Sequence, residues 1–115
     1  MKNFLCIFVL TTLLACDGNY RDVVISGRIK DSLTGQTISG SDIKITCWVY
    51  DTEEWESRKV IKETVSDVNG NFSIHFEKGE AIDVEVGHDN YQHFEYSETL
   101  DKSINQLEFG LQKIE

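Results

Sequence analysis

Three histidines, a central cysteine and one oxygen-rich turn are the places where this 115-residue chain could do chemistry. His88 and His93 lie five residues apart across a turn, near enough to approach one another, whereas His75 belongs to a different strand. Zinc takes three or four nitrogen, sulfur or carboxylate donors in tight geometry. Two histidines do not make that set, so the expectation is solvent-facing imidazoles, no metal and no cofactor. The turn Asp67-Val68-Asn69-Gly70-Asn71 sets oxygen donors at alternate positions in the manner of a calcium loop. It lacks the bidentate glutamate that closes such a loop, because Glu77 falls on the strand beyond. A tight turn explains the same residues without an ion: Gly70 supplies a positive φ, and Asp67, Asn69 and Asn71 cap backbone amides. A serine–histidine–aspartate triad is not legible from spacing, and no residue is assigned a catalytic role.

The elements that position these groups read as strands throughout. Phe72, Ile74 and Phe76 alternate with Ser73, His75 and Glu77, the period of a half-buried strand. Residues 60–66 before the turn are rich in β-branched side chains, so residues 59–77 read as a central hairpin. The same alternation marks residues 23–30, 43–50, 82–86, 91–100 and 107–111. Seven short strands at regular spacing, with no amphipathic helix, predict an all-β, seven-stranded antiparallel β-sandwich. With no proline anywhere in the chain, protection of sheet edges is expected from charges such as Lys30, Lys44 and Glu95. Cys47 shares parity with Ile43, Ile45 and Val49 and is expected in the core as a small hydrophobe, not as a nucleophile. Trp48 and Tyr50 have the opposite parity, and Trp55 lies on the charged excursion that follows. Together these three aromatics are the candidate contact surface for a protein or a glycan.

The first 15 residues read differently from the rest. Lys2 precedes the run 4–14, apolar except for Thr11 and Thr12. A bilayer span needs roughly 20 apolar residues, so this run fits the core of a secretory signal peptide. It ends Leu13-Leu14-Ala15-Cys16, which resembles the lipobox of bacterial lipoproteins. The resemblance implies cleavage before Cys16, a diacylglycerol on its sulfur and an acyl chain on its amine. The expected organisation is a signal peptide over 1–15, a lipidated Cys16 with a polar tether to residue 22, and one domain over 23–115. Cys47 is then left without a disulfide partner. The extended tether reaches no more than about 20 Å at ~3.4 Å per residue, which keeps the domain close to the membrane. The localisation expected is the cell envelope, at the outer membrane or the periplasmic face of the inner one. The chain carries a formal charge of −9, and loss of Lys2 with the signal leaves ten basic against twenty acidic residues, or −10. So acidic a protein is not expected to bind nucleic acid or to lie flat on anionic lipid.

A family resemblance covers roughly residues 22–113. Val24-Ile25-Ser26-Gly27-Arg28-Ile29, then Asp31, Thr34-Gly35, Ile38-Ser39-Gly40 and Ile43-Lys44-Ile45, resemble the opening of carboxypeptidase regulatory-like domains. Thr64-Val65-Ser66-Asp67-Val68-Asn69-Gly70-Asn71-Phe72-Ser73-Ile74 is similar to that family's central turn and strand, and Asn90-Tyr91 to its Gly-Tyr corner. Thr37 stands where the family usually has proline, and Asn90 where it has glycine. The resemblance implies a transthyretin-like (prealbumin-like) Greek-key sandwich and an accessory role: a spacer, stabiliser or contact surface. Its one related enzyme, 5-hydroxyisourate hydrolase, ends in Tyr-Arg-Gly-Ser, whereas this chain ends Leu111-Gln112-Lys113-Ile114-Glu115. The expectation is a non-catalytic, lipid-anchored module; the alternative is a hydrolase of that type using His75, His88 or His93 as base.

Overall fold

The computed structural model describes residues 19–51 and 56–114. Their seven strands are β1 (Tyr20–Asp31), β2 (Asp42–Asp51), β3 (Glu56–Val65), β4 (Asn71–Gly79), β5 (Ala81–His88), β6 (Tyr91–Thr99) and β7 (Ile104–Leu111). They form two facing sheets, ordered β4-β1-β7 and β3-β2-β5-β6. Alternation explains the layering: Val23, Ile25 and Ile29 of β1 and Ile43, Ile45 and Cys47 of β2 are fully or almost fully buried between the sheets. Phe72, Ile74 and Phe76 join them from β4, and Ile82, Val84 and Val86 from β5. The expected seven-stranded β-sandwich is the fold. One pair departs from the antiparallel rule, since β7 runs parallel to β1. The chain leaves β6 at the edge of one sheet and enters the other alongside β1, and that crossing sets the direction.

The central hairpin is not a hairpin. β3 pairs with β2, and β4 pairs with β1 in the opposite sheet. The turn is instead an arch that carries the chain from one sheet to the other. Locally it is built as its composition predicts. Gly70 has a φ of 77°, and Asp67 Oδ1 accepts hydrogen bonds from the Asn69 and Asn71 amides, each at 2.9 Å. What turns it into an arch is distant. The Gly70 carbonyl accepts the Ile29 amide at 2.8 Å, the Ser66 amide donates to the Ser41 carbonyl at 3.0 Å, and the Gly40 amide donates to the Ser66 carbonyl at 3.0 Å. The Ser66 hydroxyl takes the Ser41 amide and donates to the Ile38 carbonyl, both at 2.9 Å. The crossing between β1 and β2 thus buttresses the crossing between β3 and β4. A Cβ on Gly70 would also lie 2.6 Å from the Ile29 carbonyl.

Sheet order also corrects the edges. Lys30 and Lys44 lie on interior strands, β1 and β2, and of the three expected guards only Glu95 is on an edge strand, β6. Lys30 pairs with Glu108 and Lys44 with Glu85, each on the adjacent strand. Position in a sheet is decided by long-range pairing, which charge patterning does not reveal. β1 begins at Tyr20, three residues before the expected start at Val23, because Tyr20 and Arg21 already pair with Gly79 and Lys78. Just before it, the Asn19 side chain clamps the Tyr50 backbone, donating to its carbonyl at 2.8 Å and accepting its amide at 3.0 Å.

Two motif residues find structural work at the other end. Asp31 Oδ1 accepts the Leu33 and Thr34 amides, and its Oδ2 accepts the Tyr91 hydroxyl at 2.9 Å. The Thr34 and Leu33 amides, with Tyr91, hold this carboxyl below the usual carboxylate range. Cys47 lies in the core as expected, with its thiol directed at the Lys78 carbonyl 3.6 Å away. Burial pushes that thiol up to about 11, only partly countered by Lys62, which keeps it in the thiol form at neutral pH. Its sulfur also explains Gly79, where a Cβ would sit 2.2 Å from Cys47 Sγ.

This last contact gives a coupled prediction. Gly79→Ala overpacks the core and destabilises by about 1–3 kcal/mol, and Cys47→Ala vacates the space the new methyl needs. Urea unfolding of both single variants and the double variant measures the coupling. The loss from Gly79→Ala shrinks in the Cys47→Ala background; an equal loss in both backgrounds contradicts the packing described.

Candidate contact face

The outer face of the four-stranded sheet is assembled row by row from cross-strand partners. Trp48 lies opposite Lys59 on β3 and Ala81 on β5; Thr46 lies opposite Ile61 and Asp83; Lys44 lies opposite Glu63 and Glu85. Tyr50 faces Ser57 at the end of the sheet. Outward parity of Trp48 and Tyr50 is as expected, and both side chains are half-buried. Trp55 and Cys16 lie outside the described residues.

The sheet holds Trp48 in a defined pose. Its indole Nε1 donates to Asp83 Oδ2 at 2.8 Å, and Ser97 donates to Asp83 Oδ1 at 2.7 Å. These two bonds, Ser97 first, keep the Asp83 carboxyl below the ordinary range and hence charged. Ala81, the small cross-strand neighbour, leaves room for the indole to reach across β5 towards Asp83. Lys59 Nζ sits 5.5 Å from the ring centroid, within cation–π range. Beyond this, Ile61 and Val65 of β3 are 51% and 54% exposed on the same face. A large aromatic with its polar edge satisfied, flanked by aliphatic surface and fixed charges, can dock a partner at little loss of side-chain entropy.

Sequence reasoning missed Ile61, Val65, Asp83, Ser97 and Lys59. Alternation in β3 points the other way at first sight, because its inward positions include Arg58 and Lys62 beside Val60 and Thr64. The reason is that β3 lies at a sheet edge. Lys62 reaches round that side of the sandwich, donating to the His75 carbonyl at 2.6 Å and placing its ammonium 5.3 Å from the Phe76 ring centroid. Its apolar stem thereby shields the flank of the core while the charge meets polar groups.

The histidines occupy separate settings. His75 projects from the outer face of the three-stranded sheet, where Nε2 lies 3.5 Å from Asp22. His88 closes β5, packs edge-on to Tyr91 and accepts the Asn90 amide through Nδ1 at 3.1 Å. His93 projects from the outer face of the other sheet, beside Glu85 and Glu95. His88 and His93, close enough in sequence to approach one another, are thus engaged with different neighbours. Asp67 spends Oδ1 on backbone amides, in keeping with a turn.

No family model and no curated protein matches the chain. Solved structures do. The chain is similar to 3-chlorocatechol 1,2-dioxygenase from Rhodococcus opacus 1CP, with a TM-score of 0.66 at 8% identity over 82% of this chain and 61% of that one. It is similar to the group B streptococcus pilus 2b backbone protein, with a TM-score of 0.61 at 11% identity over 81% and 42%. It is also similar to the major pilin SpaD of Corynebacterium diphtheriae, with a TM-score of 0.58 at 13% identity over 81% and 30%. The chain thus spans between 30% and 61% of the length of these proteins. Enzymes and pilins share this β-sandwich, so the likeness shows a fold and not an activity.

The pose of Trp48 is directly measurable. In a Trp55→Phe background, Trp48 is the sole tryptophan. Asp83→Ala there shifts its emission to longer wavelength and raises its quenching by acrylamide. An unchanged spectrum contradicts the hydrogen-bonded pose.

Proposed function

We propose that this chain is a lipid-anchored, non-catalytic module of the bacterial cell envelope. In this reading it contacts an envelope protein or a glycan through the outer face of the four-stranded sheet around Trp48, Tyr50 and Trp55. The observation that carries the reading is the Trp48 indole, outward-facing yet fixed by Asp83 on a rigid sheet. The exposed Ile61 and Val65 extend that surface. The alternative, a hydrolase of the hydroxyisourate type with His75, His88 or His93 as base, is less well supported, because the three lie in separate settings and no observation singles one of them out as a base. The resemblance to carboxypeptidase regulatory-like domains agrees with an accessory role.

The anchor is read from Leu13-Leu14-Ala15-Cys16 at the end of an apolar leader. Asn19, three residues after Cys16, is clamped to the Tyr50 backbone. At ~3.4 Å per residue, three residues reach about 10 Å. A lipid on Cys16 therefore keeps the Tyr50 end of the sandwich beside the membrane, at the outer membrane or the periplasmic face of the inner one. The partner is then met at the membrane surface. A charge of −10 after loss of the leader weighs against nucleic acid as that partner.

Two changes test the reading separately. Cys16→Ser releases the protein into the soluble fraction and abolishes acyl labelling; a variant that stays membrane-bound contradicts the anchor. In the anchored protein, Trp48→Ala with Trp55→Ala lowers recovery of cross-linked envelope proteins or bound glycans about tenfold or more, as loss of a central aromatic anchor does. Undiminished recovery contradicts the contact face.

A further inference from the structure

We infer that Glu85, His93 and Glu95 form a binding site for a divalent transition ion of the zinc class. The three side chains come from adjacent paired strands and project from one face. His93 and Glu95 alternate on β6, and Glu85 lies directly opposite Glu95 on β5. Their donor atoms all fall within 4.8 Å of one another. His93 Nε2 is 3.4 Å from Glu95 Oε1 and 3.7 Å from Glu85 Oε1. An ion with ligands about 2.0–2.2 Å away at tetrahedral angles holds its donors roughly 3.3–3.6 Å apart. The two separations from His93 lie close to that spacing, and with all three donors within 4.8 Å of one another side-chain rotation can bring them onto one ion.

Three further observations distinguish the cluster from an ordinary surface ion pair. A single imidazole nitrogen faces two carboxylates, where a pair needs one. Lys44 Nζ lies 3.7 Å from Glu85 Oε2, the oxygen opposite the one turned to His93. That contact leaves Oε1 as the oxygen turned to His93. Finally, Glu85 and Glu95 are like charges set directly across a ladder, a destabilising arrangement that Lys44 offsets from the Glu85 side only. The donor set of one imidazole and two carboxylates suits zinc, cobalt or manganese better than softer ions. Three protein donors leave a coordination position open, as in sites that take water or an exogenous ligand. The strands supply rigidity that a loop would not.

His75 and His88 serve as internal controls, since His75 has one carboxylate beside it and His88 is engaged with Tyr91 and the Asn90 amide. The experiment is a zinc chloride titration of the full chain carrying Cys6→Ser and Cys16→Ser, which removes the thiols of the leader region. Binding is followed by calorimetry and by NMR of the three histidine rings. The expected result is one ion per chain, a shift of the His93 ring alone, and loss of binding in His93→Ala but not in His75→Ala or His88→Ala. His75 and His93 are exposed and His88 is half-buried, and the backbone spectrum of each variant verifies that it is folded. No saturable uptake at millimolar zinc, or uptake that survives His93→Ala, overturns the site.

Discussion

The sandwich depends on the mutual support of its two neighbouring crossings, residues 36–41 and 66–70. Each leaves one sheet and enters the other, and among the described residues the first keeps only a short pairing with the end of β1, at Lys30 and Thr37. They satisfy each other: the Ser66 hydroxyl and backbone meet Ser41, Ile38 and Gly40, and Gly70 meets Ile29. Buried polar groups left unpaired cost free energy comparable to a lost hydrogen bond, so these contacts select one path for the chain. That path places β4 against β1 and leaves β3 beside β2. The outer face of the four-stranded sheet, with Lys59, Ile61 and Val65 next to β2, exists only because β3 lies there.

How much of this could be read from the amino acids divides along the range of the interactions. Parity is local, so the buried sides of β1, β2, β4 and β5 and the placement of Cys47 in the core are legible in the alternation. Outward Trp48 and Tyr50 follow from the same parity. Pairing is not local. Asp67-Val68-Asn69-Gly70-Asn71 forms the same tight turn in a hairpin and in an arch, and the choice rests on Ser41 and Ile29, some 25 to 41 positions away. The parallel course of β7 beside β1 and the early start of β1 at Tyr20 have the same origin. So do the missed members of the contact face: Asp83 and Ser97 reach Trp48 through the register of β2, β5 and β6. Glu85 stands opposite Glu95 for the same reason, which is why counting histidines could not bring this pair together.

Two features of the face lie at different distances from the Asn19 clamp. Tyr50 is bonded to it, and Trp48 is two residues further along β2. The Glu85–His93–Glu95 group lies beside Lys44, six residues from Tyr50, or roughly 20 Å at about 3.3 Å per residue. A rigid ladder fixes that separation. The same framework serves dioxygenases and pilins of unrelated sequence, so what distinguishes this chain is the set of side chains on its outer face.

The arch is the claim on which the face and its neighbours rest, and nuclear Overhauser contacts between strands test it most directly. The account predicts contacts linking Ile25 with Ile74 and Gly27 with Phe72, and none linking residues 60–65 to residues 71–76 as a ladder. A continuous ladder between those two segments would contradict it.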